Sequence, residues 1–157
     1  QGGRRLRGLY ILRSETDKPR MRLLGNLFTN YNYSTIKVST AFKSNESFSA
    51  RSLTNGLRIA VDLSSKDAPL PEGSPFADWR EARRFAGPMP FTFSVEDDAV
   101  IVVEGKRSQW QPRPVSVIEA EVPFLGELVD TESLLANAFV TEDIPYEWSS
   151  GRREPRN

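Results

Sequence analysis

The run Lys106-Arg107-Ser108-Gln109-Trp110-Gln111-Pro112-Arg113-Pro114 gathers three cations and one large aromatic within nine residues. Arg107 and Arg113 carry planar, forked donors that can grip a carboxylate through two parallel hydrogen bonds. Trp110 supplies a flat face for stacking or for lining a pocket. Lys106 stands next to Arg107, and like charge lowers the pKa of an amine, as an amine nucleophile requires. Against this, neighbours on a strand point to opposite faces. The segment reads as an anion pocket at the mouth of a barrel. Its ordinary reading is a solvated loop packed on Trp110, with its arginines paired to acids elsewhere.

Other polar residues invite the same two readings. In the stretch 81–93, EARRFAGPMPFTF, Arg83 and Arg84 lie about 100° apart on a helix, so at most one faces inward. Arg83 shares the side of Phe76, Trp79 and Ala86 and is the inward candidate; otherwise both arginines complement the helix C-terminus. Phe91 and Phe93 alternate to one side of a strand and are expected in the core, with Thr92 opposite. Asn137, inside the apolar LLANAF, fixes backbone or points at a ligand, because a buried amide needs partners. Glu119 and Glu121 lie two apart on one strand face. Inside, their repulsion would raise one pKa for acid–base work; outside, they are ordinary solvent residues. Tyr31 and Tyr33 in NYNY are placed to line an entrance or to close a helix–strand joint.

Composition narrows the chemistry. The chain has 157 residues, 38% of them apolar, with no Cys and no His. Disulfides, thiol nucleophiles, His-based triads and the usual zinc sites are therefore excluded. Proton transfer must use Asp, Glu, Lys or Tyr, and no cofactor or metal motif is evident. Basic and acidic residues balance at 21 each. The balance is uneven along the chain: residues 1–22 hold seven basic side chains, whereas 114–151 hold no Lys or Arg and several acids. These parts face one another or a second copy, so a homo-oligomer is one expected partner state. RRLR (4–7), KRSQW (106–110) and GRREPR (151–156) could form a basic patch, but neutral total charge and the acid-only third argue against nucleic acid. No segment has the form of a membrane span or a signal peptide, so a cytoplasmic protein without a membrane partner is expected. The start QGGRRLRG, without Met, implies further residues upstream.

The elements that must position these groups are mostly strands. GLYILRS (8–14), STIKVST (34–40), SFSARSL (47–53), LRIAVDLS (57–64), MPFTFSV (89–95), AVIVVEG (99–105) and VSVIEAEV (115–122) have strand character. The Asn–Gly of TNG (54–56) marks a hairpin turn. Met21, Leu24 and Leu27 or Phe28 share a helical side over 21–28, where Gly25 weakens the helix or permits close packing. SPFADWREARRFAG (74–87) carries a full set of helix signals: Ser74 as cap, Pro75 at the first position, and Gly87 beyond the end. SLLANAFV (133–140) is helical or strand-like, and 149–157 is a flexible tail. One domain of mainly antiparallel β (α+β) with two or three short peripheral helices follows.

Three segments carry a resemblance: LRGLYILRSETD (6–17), EARRFAGPMPFTF with RSQWQPRPV (81–93 and 107–115), and LLANAFVTEDIPYEW (134–148). Together they resemble the domain-of-unknown-function family 2071, the YqjF-like family, across nearly the whole chain. That family looks related to acetoacetate decarboxylase, which implies a curved antiparallel sheet or barrel with a central cavity. Acetoacetate decarboxylase works through a lysine Schiff base; the motif carrying that lysine is not visible among Lys18, Lys37, Lys43, Lys66 and Lys106. The leading expectation is a barrel cavity that binds a small anionic organic molecule. Its candidate contacts are Arg83, Lys106, Arg107, Trp110, Arg113 and Asn137. A decarboxylase or lyase acting on a small keto acid, and a noncatalytic structural or interaction module, are the alternatives.

Overall fold

Alternation of side chains, more than length of apolar run, builds most of the strands. The structure is a computed structural model that describes residues 6–29, 31–44, 46–86, 89–128 and 133–156. In chain order the elements are β1 (Gly8–Tyr10), β2 (Glu15–Thr16), α1 (Pro19–Phe28), β3 (Ser34–Thr35), β4 (Val38–Lys43), β5 (Ser47–Ser52), β6 (Arg58–Asp62) and α2 (Trp79–Ala86). There follow β7 (Phe91–Glu96), β8 (Ala99–Arg107), β9 (Arg113–Pro114), β10 (Ser116–Glu121), α3 (Pro123–Leu128), β11 (Phe139–Val140), β12 (Tyr146–Trp148) and β13 (Arg152–Pro155). Pairing is mainly antiparallel; β1 with β7 and β2 with β3 are parallel. Among the described residues no sheet closes on itself, so the expected barrel gives way to open sheets. The chain divides into two compact units, 1–35 with 88–110 and 143–157, and 36–87 with 111–142.

The first unit is organised by β8. This long strand pairs with β7 on one side and with β12 and then β13 on the other. Residues 152–155 therefore form a strand where a frayed tail was expected, because β8 offers them a free edge. Ile101 and Val103 of β8 form a core with Tyr31, and Ile11 and Tyr33 pack against it. On β7 the buried side chains are Thr92 and Ser94; Phe91 and Phe93 are only half-buried. This reverses the expected faces. The reason is Tyr31, whose hydroxyl is hydrogen-bonded to Thr92 Oγ1 and so brings a polar partner to that side.

Helix α1 begins with Pro19, as its fixed φ favours. It docks through its Gly25–Asn26 side. A Cβ at Gly25 would lie 2.5 Å from the Tyr33 ring, so the glycine there permits close packing. Asn26 Oδ1 accepts from the Tyr33 N–H at 2.5 Å, and Asn26 Nδ2 donates to the Tyr33 carbonyl at 3.2 Å.

The second unit is built on an antiparallel sheet ordered β10-β6-β5-β4. Its β5–β6 hairpin turns at Gly56, whose φ of 72° suits glycine. Helix α2 starts at Trp79, four residues later than a Ser74 cap implies. Asp78 is the actual cap: Asp78 Oδ1 accepts from Glu81 N–H (2.7 Å), and Glu81 reaches back to Ala77 N–H (2.8 Å). This reciprocal arrangement is close to a capping box. Ser74 instead donates to the Ala136 carbonyl at 2.6 Å. Gly87, the expected stop, lies outside the described residues.

Candidate ligand groove

One face of the four-stranded sheet is mostly hydrocarbon around Phe42, Phe48, Ile59 and Val61, with Thr40 and Ser52 toward its other end. Pairing places Phe42 opposite Phe48, Phe48 opposite Val61, and Ala50 opposite Ile59, so these side chains share a face. Strand β10 would spoil that face if it alternated regularly, because Glu119 and Glu121 have the same parity as Val117. It does not alternate regularly. Val117 pairs with Val61, but Glu119 pairs with Ala60 and Ala120 with Ile59, leaving Ile118 as an extra, bulged residue. A bulge of one residue re-aims everything after it. Val115 and Val117 before it, and Ala120 and Val122 after it, therefore line one groove. Ile118 itself is 66% exposed.

The same bulge sends the two glutamates to the other face. There Arg51 and Arg58 stand directly opposite one another across β5 and β6, a repulsive pair left to itself. Glu119 lies 3.4 Å from Arg51 and 3.9 Å from Arg58; Glu121 lies 3.2 Å from Arg58. Of the two readings of these glutamates the solvent-facing one holds: they are partners of surface arginines.

The groove has a volume of about 440 Å³. This falls within the ordinary range for small-molecule sites. The segment 135–140 contributes Leu135, Ala138, Phe139 and Val140. It is fixed by the Ser74 bond to Ala136, by the Val115 N–H to the Ala138 carbonyl (3.3 Å), and by β9–β11 pairing. Trp79 of α2 meets Phe139 edge-on, with ring centroids 6.2 Å apart.

Arg113 is not itself one of the lining residues, but it adjoins them in the chain and across the β9–β11 pair. Its strand partner is Val140, and its Nη1 donates to the carbonyls of Leu63 (2.9 Å) and Ser65 (3.0 Å). Both Nη1 hydrogens are thus used, and the guanidinium is fixed in place. Nη2 faces the Glu142 carboxylate at 4.0 Å, and that carboxylate is 77% exposed. An exposed pair at that distance is weak. A ligand carboxylate can replace Glu142 on Nη2 without disturbing the bonds that position the arginine.

Arg113 belongs to the second unit, together with Arg83 and Asn137. Asn137 is half-buried in the groove segment but is not one of the lining residues. Arg83 is exposed, which corrects the inward expectation. The packed side of α2 centres on Ala82, which is fully buried, and Arg83 projects about 100° from it. Lys106, Arg107 and Trp110 belong to the first unit. Lys106 is exposed and pairs across strands with Glu147, while Arg107 is half-buried. The Arg107 guanidinium carbon lies 4.7 Å from the centre of the Trp110 ring. That is a cation–π contact, so this arginine and this tryptophan do meet.

The first unit also has a pocket, of about 530 Å³, in which Tyr31, Tyr33 and Trp148 meet Met21, Leu24 and Phe28 of α1. Tyr31 packs on both other aromatics, at 5.9 and 5.7 Å between centroids. Burial raises the pKa of the Tyr33 phenol. In the second unit, Asp62 is held below its ordinary pKa by the hydroxyl and then the backbone N–H of Ser64, at 2.6 and 2.8 Å. Among the described residues, no three acidic side chains converge to hold a metal. Nor is any helix there long and apolar enough to cross a membrane. Compared with protein-family models, with curated proteins and with solved structures, the chain matches none.

Proposed function

We propose that this chain is a YqjF-like, acetoacetate-decarboxylase-like domain that binds a small anionic organic molecule in the cytoplasm. The kinship rests on the three segments quoted above, and the mainly antiparallel sheets are in keeping with it. The site is the groove of the second unit rather than the interior of a barrel. The carbon skeleton lies on the hydrocarbon face of the sheet, and the acid group meets Arg113.

The observation that carries this reading is a guanidinium held by two carbonyls beside an apolar groove. Among the described residues, its Nη2 is paired with one exposed carboxylate. Preorganisation of this kind lowers the cost of binding. No observation favours the lysine-dependent decarboxylase in the same way. All five lysines are exposed, whereas a Schiff-base amine needs a desolvated or cationic setting.

Calorimetric titration with octanoate tests the reading. Binding to the wild type and at least tenfold weaker binding to a folded Arg113→Met variant are expected. Equal binding to both would remove Arg113 from the site.

A further inference from the structure

We infer that the groove selects hydrophobic monocarboxylates and rejects acids that carry a keto or hydroxyl group along the chain; this rests on the ligand-binding reading above. Among the described residues, every side chain on the lining is hydrocarbon. A polar group on the ligand, away from its acid end, would therefore have to find a backbone partner.

Few backbone partners face the ligand. Along β5 and β6 the peptide groups pair on both sides; β10, an edge strand, pairs on its β6 side apart from the bulged Ile118, and its outer groups point along the plane of the sheet rather than out of the groove face. On the irregular wall, the Ala136 carbonyl accepts from Ser74 Oγ and the Ala138 carbonyl accepts from Val115 N–H. An internal keto oxygen placed here loses its water and gains no donor, which weakens binding by roughly tenfold or more. A second carboxylate at the far end gains nothing, because Phe42, itself 72% exposed, and Phe48 and Ile59 offer it no countercharge.

Length is limited as well. From Phe42 on β4 to Val117 on β10 the groove crosses three strand spacings, about 14 Å. Among the lining residues Ala120 and Ala138 have the smallest side chains, so growth at either position occupies the space of the ligand. They are the specificity-determining positions for chain length.

The experiment is a calorimetric comparison of octanoate, 3-oxo-octanoate, suberate and octanol on the wild type. Ala120→Leu and Ala138→Leu are measured with octanoate and butanoate, after circular dichroism has verified their fold. The expected result is octanoate bound at least tenfold more tightly than 3-oxo-octanoate and suberate. At least one of the folded variants should lose octanoate selectively over butanoate. Equal or tighter binding of 3-oxo-octanoate overturns the selectivity and leaves acid binding intact. Octanol binding as tightly as octanoate overturns acid recognition at Arg113 and leaves an apolar groove. If none of the four binds, both are overturned.

Discussion

Replacing Arg113 with Met removes the guanidinium and keeps much of the stem, so it isolates the polar contacts. Two of these are charge-assisted bonds from Nη1 to the Leu63 and Ser65 carbonyls, at 2.9 and 3.0 Å. Bonds of this type contribute about 1.5–3 kcal/mol each when buried. The Arg113 side chain is 30% exposed, so water regains part of the loss. The Glu142 pair, distant and exposed, adds at most about 1 kcal/mol. Together these give a loss of about 2–3 kcal/mol, or roughly 5–10 °C in Tm for a chain of this size. Arg113→Lys should lose about half as much, because one ammonium does not reproduce the fork. Urea denaturation followed by circular dichroism and by tryptophan fluorescence measures both variants. A loss below about 0.5 kcal/mol for Arg113→Met would refute the claim that the carbonyls hold the guanidinium in place.

Deleting Ile118 removes only the extra residue, so Val117, Ala120 and Val122 alternate regularly with Glu119 and Glu121 and the glutamates stay on the arginine face. The β10–β6 pairing should therefore persist by circular dichroism, with a stability change of about 1 kcal/mol or less, and Ile118→Thr, at an exposed position, should stay within about 0.5 kcal/mol; loss of the fold on deletion would refute the bulge. Glu119→Gln leaves Arg51 opposite Arg58 with less countercharge. It should cost about 0.5–1 kcal/mol at low salt and less in 1 M salt, as a salt series of denaturation curves would reveal. An NMR titration should find Asp62 ionising below the ordinary carboxylate range, and Ser64→Ala should move it back up. Because its folded pKa is lowered, its contribution to stability is present above the unfolded pKa and fades as pH falls through the folded one. Tyr31→Phe removes the phenol partner of Thr92 and should destabilise the first unit by about 1–2 kcal/mol, read by hydrogen exchange at Ile101 and Val103.

Strands β5 to β8, β10 and helix α1 were legible because their patterns are local, whereas the short strands β2, β12 and β13, which exist only through their distant partners, were not. Leu57, Ile59, Val61 and Leu63 alternate with polar residues, and Asn55–Gly56 turns the hairpin that precedes them. The capping of α2 was misread because Ser74–Pro75 and Asp78 with Glu81 both look like helix starts. Only the Ser74 bond to Ala136, sixty-two residues away, decides between them. The buried face of β7 was also hidden, since Phe91 and Phe93 are the more apolar set. Tyr31, distant in sequence, makes the Thr92 side the packed one.

The site divides in the same way. Arg113 was visible as a forked donor near a strand, but its carbonyl partners come from residues 63 and 65 and could not be read locally. The β10 bulge did leave a trace. Apolar positions change parity from 115 and 117 to 120 and 122, and that change is the mark of one extra residue. Arg83 was judged by the side it shares with Trp79, although α2 is centred on Ala82. Lys106 and Arg107 followed the strand rule and diverged. Arg107 meets Trp110 just past the end of β8, where Gln109 adopts a positive φ of 57°.

Methyl-resolved NMR of protein labelled at Ile, Leu and Val tests the central claim most directly. On titration with octanoate, shifts are expected at Ile59, Val61, Leu63, Val117 and Val140, on the groove face, with Leu24 and Val95 of the first unit unchanged. Shifts centred on Leu24, beside the aromatic pocket of the first unit, or no shifts at all, would contradict ligand binding in this groove.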